Sequence, residues 1–268
     1  RYYNVLENIN QLDNALERKE SVFEPQKEFL QDIMTRDDLN IKFIYVSKRF
    51  KELYVDPYVG VVPEKYHIIH NIIDDELFQY HKKSSDDRLK ICTIRPFTAK
   101  NYANDLTVEV IKQLSRKKYF HKLEFNIYGD GKLFNVLTNP LKQFENVTLH
   151  KGFVKQNDIP LIHKDHGIYL GPSRHDSQGV SLGEAMSSGL VPVTNAIGGI
   201  PEFITHKETG MLAARDNVTE MVEHVEYLYK HARKFKKISE QASKSIKQQA
   251  GLETVISKEI EVITNGWS

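Results

Sequence analysis

GPSRHDSQGVSLGEAMSSGLVPVTNAIGGIPE, residues 171–202, sets an acidic residue, a glycine turn, a helix start and a second acidic residue in one run. The apolar stretch GIYLGPS at 167–173 reads as a buried strand, and Gly179 followed by VSLGEAM reads as a helix opening directly out of a tight loop. The first N–H groups of such a helix lack intrahelical acceptors and its macrodipole favours an anion, so this start is a candidate phosphate site. Gln178, Gly179, Val180 and Ser181 would offer backbone N–H groups there, and Gly179 lets the backbone approach a ligand closely. Asp176 lies in the loop and Glu184 roughly one and a half turns inside the helix, so both carboxylates address one cleft.

Outward from this segment the chain alternates strand and helix. KICTI (90–94), KLEFNIYG (122–129), VTLHKGF (147–153), GIYLGPS and VPVTNA (191–196) are strand-like, and helical patterns follow at 106–117, 132–144, 157–166, 180–189 and 201–206. Such alternation predicts an α/β fold: a parallel sheet covered on both faces, with ligands outside the carboxyl ends of its strands. Arg95, Gly129, Gly152 and Ser173 all fall at such ends.

Asp176, the seven residues SQGVSLG and Glu184 resemble the donor-site signature of retaining GT-B glycosyltransferases of the GT4-like group, with EAMSSGLVPV and NAIGGIPEFI continuing in register. The family usually has Glu where this chain has the shorter Asp176. The resemblance implies that Glu184 accepts hydrogen bonds from ribose hydroxyls and that Asp176 faces the donor sugar. It also implies that Arg95 and Lys100, with four residues between them, grip the nucleotide diphosphate. Physically, fixed cations in a dry cleft neutralise a leaving diphosphate without reorganising solvent; Arg adds a bidentate fork and Lys a point charge. Gly129 and Gly131 of YGDGKL resemble the family's loop near the nucleotide, and Phe153 and Val154 of GFV the place where the backbone meets the base, although a Phe153 that only packs is an equal alternative. Ser173 completes the donor-binding set.

The fold implied is GT-B: a Rossmann-like donor domain over 86–268, preceded over 1–85 by the C-terminal part of a second Rossmann-like acceptor domain and the interdomain linker. Residues 5–36 are helix-prone, IKFIYVS (41–47) reads as a strand, KRFKELY (48–54) as a short helix, and YHIIHNIIDDELF (66–78) resembles the family's interdomain connection, followed by a polar linker at 82–88. Most of the acceptor domain is expected to be missing from the sequence. The activity implied is retaining transfer of a sugar from a UDP- or GDP-sugar to a glycan or lipid-linked acceptor, in bacterial surface polysaccharide or glycoconjugate synthesis. Two rival classes are a nucleotide-sugar-binding module without turnover inside a larger complex, and a sugar-nucleotide epimerase. The epimerase would need acid and base carboxylates around the hexose and lacks the Arg95–Lys100 pattern.

Composition bounds the rest. With 268 residues, 40% of them hydrophobic, the chain can bury one substantial core and part of a second. Thirty-seven Lys and Arg nearly cancel thirty-six Asp and Glu, which argues against a dedicated nucleic-acid binder. The single cysteine, Cys92, sits in a strand pattern and fits a reducing, cytoplasmic setting. No apolar run reaches a membrane span and RYYNVLENINQ is no signal peptide, so a cytoplasmic protein is expected, at most peripheral at the inner membrane face. KHARKFKK (230–237), within a long helical pattern, reads as a solvated helix face rather than an anionic-lipid contact. His163, His166 and His175 have no metal-ligand spacing and read as surface or loop histidines; no DxD motif occurs, and the resemblance implies transfer without metal or cofactor.

Overall fold

The computed structural model describes residues 24–39 and 41–265. Helix α1 (Glu24–Thr35) packs on a small unit in which strands β1 (Phe43–Tyr45) and β2 (Tyr66–Ile68) pair in parallel. A helical segment over 48–59 joins them. It starts at Ser47, whose hydroxyl accepts the Phe50 N–H, passes a wide turn at Lys51–Val55, and stops at Gly60, which adopts the left-handed conformation. Tyr45, Phe50, Val55 and Val59 form this unit's own core.

The main body is a six-stranded sheet of β3 (Lys90–Ile94), β4 (Glu124–Gly129), β5 (Val147–Lys151), β6 (Ile168–Leu170), β7 (Val191–Asn195) and β8 (Met211–Ala213), in the order β5-β4-β3-β6-β7-β8. Every neighbouring pair is parallel. The order reverses between β3 and β6, where Ile91 pairs with Ile168 and Cys92 with Tyr169. A crevice opens outside the carboxyl ends at such a switch point.

The helices of this body are α2 (Asn104–Leu114), α3 (Phe134–Thr138), α4 (Ile159–Asp165), α5 (Val180–Ser187), α6 (Ile200–Phe203), α7 (Val218–Lys230), α8 (Ala232–Ala250) and α9 (Leu252–Thr264). Alternation along the strands divides the interior in two. Ile91, Ile168 and Leu170 face one core with α2 and α7, while Cys92 and Tyr169 face the other with α5 and α6. Helix α8 spans both cores, giving Phe235 and Ile238 to the first and Ala242 and Ile246 to the second. Residues buried on both faces explain why the strands read as continuous apolar runs.

Three expectations change. β8 went unread because a three-residue MLA run carries too little periodicity to register. The helical pattern around 230–237 is two helices broken at His231, with Phe235 buried and Arg233, Lys234, Lys236 and Lys237 exposed. The linker at 82–88 is not simply solvated, since the buried Lys83 ammonium donates to the His163 carbonyl at 2.6 Å. The helix-prone reading of 5–36 is met by α1; its first part lies outside the described residues. The chain finally doubles back: Asp75 accepts the Leu252 N–H at 2.9 Å and pairs with Lys247, and α9 ends against residues 42 and 67–69.

Candidate active site

A cavity of about 740 Å³ opens at the carboxyl ends of β3, β4 and β5. Its lining includes Arg95, Thr98, Gly129, Gly131, Phe153 and Glu184. Glycine at 129 is required by close approach, because a Cβ there would run into the Arg95 carbonyl oxygen and the Phe97 ring. Phe153 stands 88% exposed at the cavity wall beside Val154, which removes the alternative that it only packs.

Arg95 is the centre of the arrangement. Its side chain follows β3 at the switch point and is only 6% exposed. One terminal nitrogen donates to the Pro172 carbonyl at 2.9 Å, and the other lies 3.4 Å from the Ser181 hydroxyl and 3.9 Å from Asp176 Oδ2. Its Nε–H is buried without a hydrogen-bond partner. An unsatisfied buried donor costs about 1–3 kcal/mol, more when charged, so this side chain is held at a cost the fold would not need for stability alone. Lys100 sits apart from the cavity lining, exposed on the single turn Lys100–Tyr102, and its ammonium forms no ion pair among the described residues.

The loop before α5 is built by Asp176. Its Oδ1 accepts the Gln178 N–H at 3.2 Å and the Gly179 N–H at 2.6 Å, while its backbone carbonyl accepts the Gly199 N–H. Gly179 takes φ 82°, the left-handed conformation a side chain would resist. The first hydrogen bond of the helix is Gly183 N–H to the Gly179 carbonyl, so the Val180 and Ser181 N–H groups precede it without intrahelical acceptors.

Several sequence expectations are therefore corrected. The Gln178 and Gly179 N–H groups are turned into the loop by Asp176, leaving Val180 and Ser181 of the four as donors to an anion. The Gln178 side chain is spent elsewhere: its amide accepts the Asn71 N–H at 2.6 Å and donates to the Asn71 carbonyl at 2.8 Å. Ser173 is buried, with its backbone clasped by Asn195 and its hydroxyl donating to the His175 carbonyl, so it braces loops rather than facing the cavity. Asp176 keeps only Oδ2 for other partners. His163 and His166 are buried rather than on the surface, and burial holds His163 neutral with its pKa lowered to about 3. His175 meets the rings of Phe50 and Tyr54 edge-on. Among the described residues no group of His, Cys, Asp and Glu is placed to hold a metal ion, and no helix is long and apolar enough to cross a membrane.

Glu184 projects from α5 into the cavity, half-buried. Burial pushes its carboxyl up to about 7, opposed by a hydrogen bond with Gln156, while Asp74 adds to the rise. Residues that sequence reading left unassigned include Gln156 and Ile159 of the cavity wall and Glu202 of the GGIPE turn. Glu202 accepts the Ser47 hydroxyl at 2.6 Å and the Arg49 N–H at 2.9 Å, so it caps a helical segment more than 150 residues away. Only its acidic character beside a glycine pair was visible beforehand.

Comparison with known proteins shows the family and the fold. The family model described as glycosyl transferases group 1 matches residues 74–245. An uncharacterized glycosyltransferase of Haemophilus influenzae is 27% identical over 145 residues, 54% of this chain and 40% of that protein. An uncharacterized 41.2 kDa protein in the cps region of Klebsiella pneumoniae is 27% identical over 172 residues, 61% of this chain and 46% of that one. The chain thus spans less than half the length of these relatives. The crystal structure of an S. aureus TarM mutant in complex with fondaparinux, alpha-GlcNAc-glycerol and UDP superposes with a TM-score of 0.72 at 19% identity, covering 86% of this chain and 45% of that one.

Proposed function

The chain belongs to the glycosyl transferases group 1 family, and from that premise we propose that it carries the donor site of a retaining transferase using a UDP- or GDP-sugar. The observation that carries the reading is Arg95, buried at the switch point with an unpartnered Nε–H, between the start of α5 and the cavity. A diphosphate lying there takes Arg95, Lys100 and the N–H groups of Val180 and Ser181 as its countercharges. The nucleoside extends into the cavity, its ribose on Glu184 and its base near Phe153 and Val154. UDP bound to TarM, a structural neighbour, supports this class of ligand.

In the proposed reaction the bond between the sugar's anomeric carbon and the diphosphate oxygen breaks while the acceptor oxygen bonds to the same face of that carbon. The acceptor's proton passes to the departing phosphate oxygen, so charge and atoms balance without a strong base from this half of the site. Arg95 and Lys100 act by stabilising negative charge as it grows on the leaving group. Residues 1–85 contribute the late part of the acceptor half and the connection into the donor half. The acceptor is a glycan or a lipid-linked sugar, in keeping with the cps-region relative.

Titration with UDP and GDP tests the site: Arg95→Ala should weaken binding by about 1.5–3 kcal/mol, the range for a hydrogen bond to a charged group. Unchanged affinity for both nucleotides would remove the diphosphate assignment. Incubating the full-length protein with sugar nucleotide and acceptor, then reading the anomeric configuration of the product by NMR, tests retention; an inverted product overturns it.

A further inference from the structure

We propose that Arg174 is the positioning residue for Lys100, an inference that rests on the diphosphate reading above. Lys100 is exposed, unpaired among the described residues and carried on a single turn, so packing does little to fix where its ammonium lies. That turn ends at Ala103, a buried non-glycine residue in the left-handed conformation (φ 49°) that also caps α2. Such a conformation persists only where the surroundings over-determine it.

Arg174 supplies that determination. Its Nη1 donates to the Lys100 carbonyl at 3.0 Å, and the fork formed by Nη1 and Nη2 donates to both oxygens of Asp105 at 2.7 Å each. Asp105 stands in the first turn of α2, so a single guanidinium holds the backbone on both sides of Ala103. Its Nε lies 3.1 Å from Asp216 Oδ1, and its backbone N–H donates to the Asn101 carbonyl at 2.9 Å. Asp216 is itself left-handed (φ 54°). The loops following β3, β6 and β8 are thereby joined at one side chain.

The division of labour between the arginines follows from their partners. Arg95 keeps an Nε–H without an acceptor, whereas Arg174 has its fork and its Nε spent on two carboxylates and a carbonyl. Arg174 therefore sets geometry and leaves the anion to Arg95 and Lys100. Lysine cannot replace it, since a point charge lacks the planar fork that spans Asp105 and the Lys100 carbonyl together.

Calorimetric titration of the chain with UDP and GDP, on Arg174→Ala, Arg174→Lys, Lys100→Ala and the Arg174→Ala/Lys100→Ala pair, tests the inference. Both Arg174 variants should bind about tenfold more weakly, and the pair should bind no more weakly than Lys100→Ala alone, because residues acting through one interaction are not additive. Losses that multiply in the pair, or wild-type affinity in Arg174→Ala while Lys100→Ala is weakened, overturn the positioning role and leave the diphosphate reading standing. Wild-type affinity in Lys100→Ala overturns the positioning role as well, and the diphosphate reading falls only if Arg95→Ala also binds like the wild type. Should Arg174→Ala fail to fold, Asp105→Ala removes both acceptors of the fork from the other side and carries the same expectations.

Discussion

Two carboxylates eight positions apart, Asp176 and Glu184, do different work, and side-chain chemistry separates them. Glu184 has its pKa raised by burial to about 7, against an ordinary value of 4.5. A carboxyl favoured neutral in the folded state contributes stability that is fully present below about pH 4.5 and is lost as pH rises through about 7. Glu184→Gln should abolish this slope in unliganded protein, read by denaturant unfolding across that window; an unchanged slope would place the titration elsewhere. Ribose hydroxyls donate to the ionised carboxylate, so UDP affinity should rise with pH through about 7 in the wild type and flatten in Glu184→Gln relative to it. Asp176 spends Oδ1 on the loop, and an asparagine retains that acceptor. Asp176→Asn is therefore expected to spare UDP binding but reduce turnover of the intact donor, whereas Asp176→Ala weakens both. Equal loss of free-nucleotide affinity in both variants would reduce Asp176 to a loop cap.

At the scale of elements, the donor-side loops are fastened to residues 45–71. Gln178 clasps the Asn71 backbone, His175 rests on Phe50 and Tyr54, and Glu202 caps the helical segment that begins after Ser47. Losing an N-terminal cap typically costs about 0.5–2 kcal/mol, here concentrated in the small unit. Glu202→Ala should speed hydrogen exchange of the amides at 48–51 while leaving those of β3, β4 and β6 at wild-type rates. Uniform acceleration through the sheet would show that Glu202 supports the whole body instead. Sequence reading placed the strand IKFIYVS and the helix KRFKELY in this region, yet gave no sign that their seat is the GGIPE turn. A carboxylate acting across more than 150 residues leaves no periodic trace.

For the whole molecule, the GT-B fold puts binding and stability on one scale. A ligand that binds only the folded state stabilises it by roughly 2.7 kcal/mol at about 100 times its Kd. For a chain of this size each kcal/mol is worth roughly 2–4 °C in Tm, so saturating UDP or GDP should raise the melting temperature by about 5–10 °C. Arg95→Ala should lose most of that rise at the same nucleotide concentration. A melting temperature indifferent to both nucleotides in the wild type would contradict a donor site in this chain.

Five of the six strands of the main sheet, their parallel sense and the placing of Arg95, Gly129, Gly152 and Ser173 at strand ends were legible in the one-dimensional pattern, because buried parallel strands and the helix following Gly179 each write a local signal. The short strand β8 and the break at His231 were not, since three residues carry no period and a helix-prone run hides one turned residue. Which members of the signature face the cavity was settled only in three dimensions. Asp176 and Gln178 lie two residues apart in the motif, yet the one folds back to cap its own loop and the other reaches Asn71. The pairing of Arg174 with Lys100, Asp105 and Asp216 likewise depends on three loops meeting where parallel strands end together. Hydrogen-bond satisfaction among groups distant in the chain made those choices, and it is a property of the packed sheet rather than of any segment.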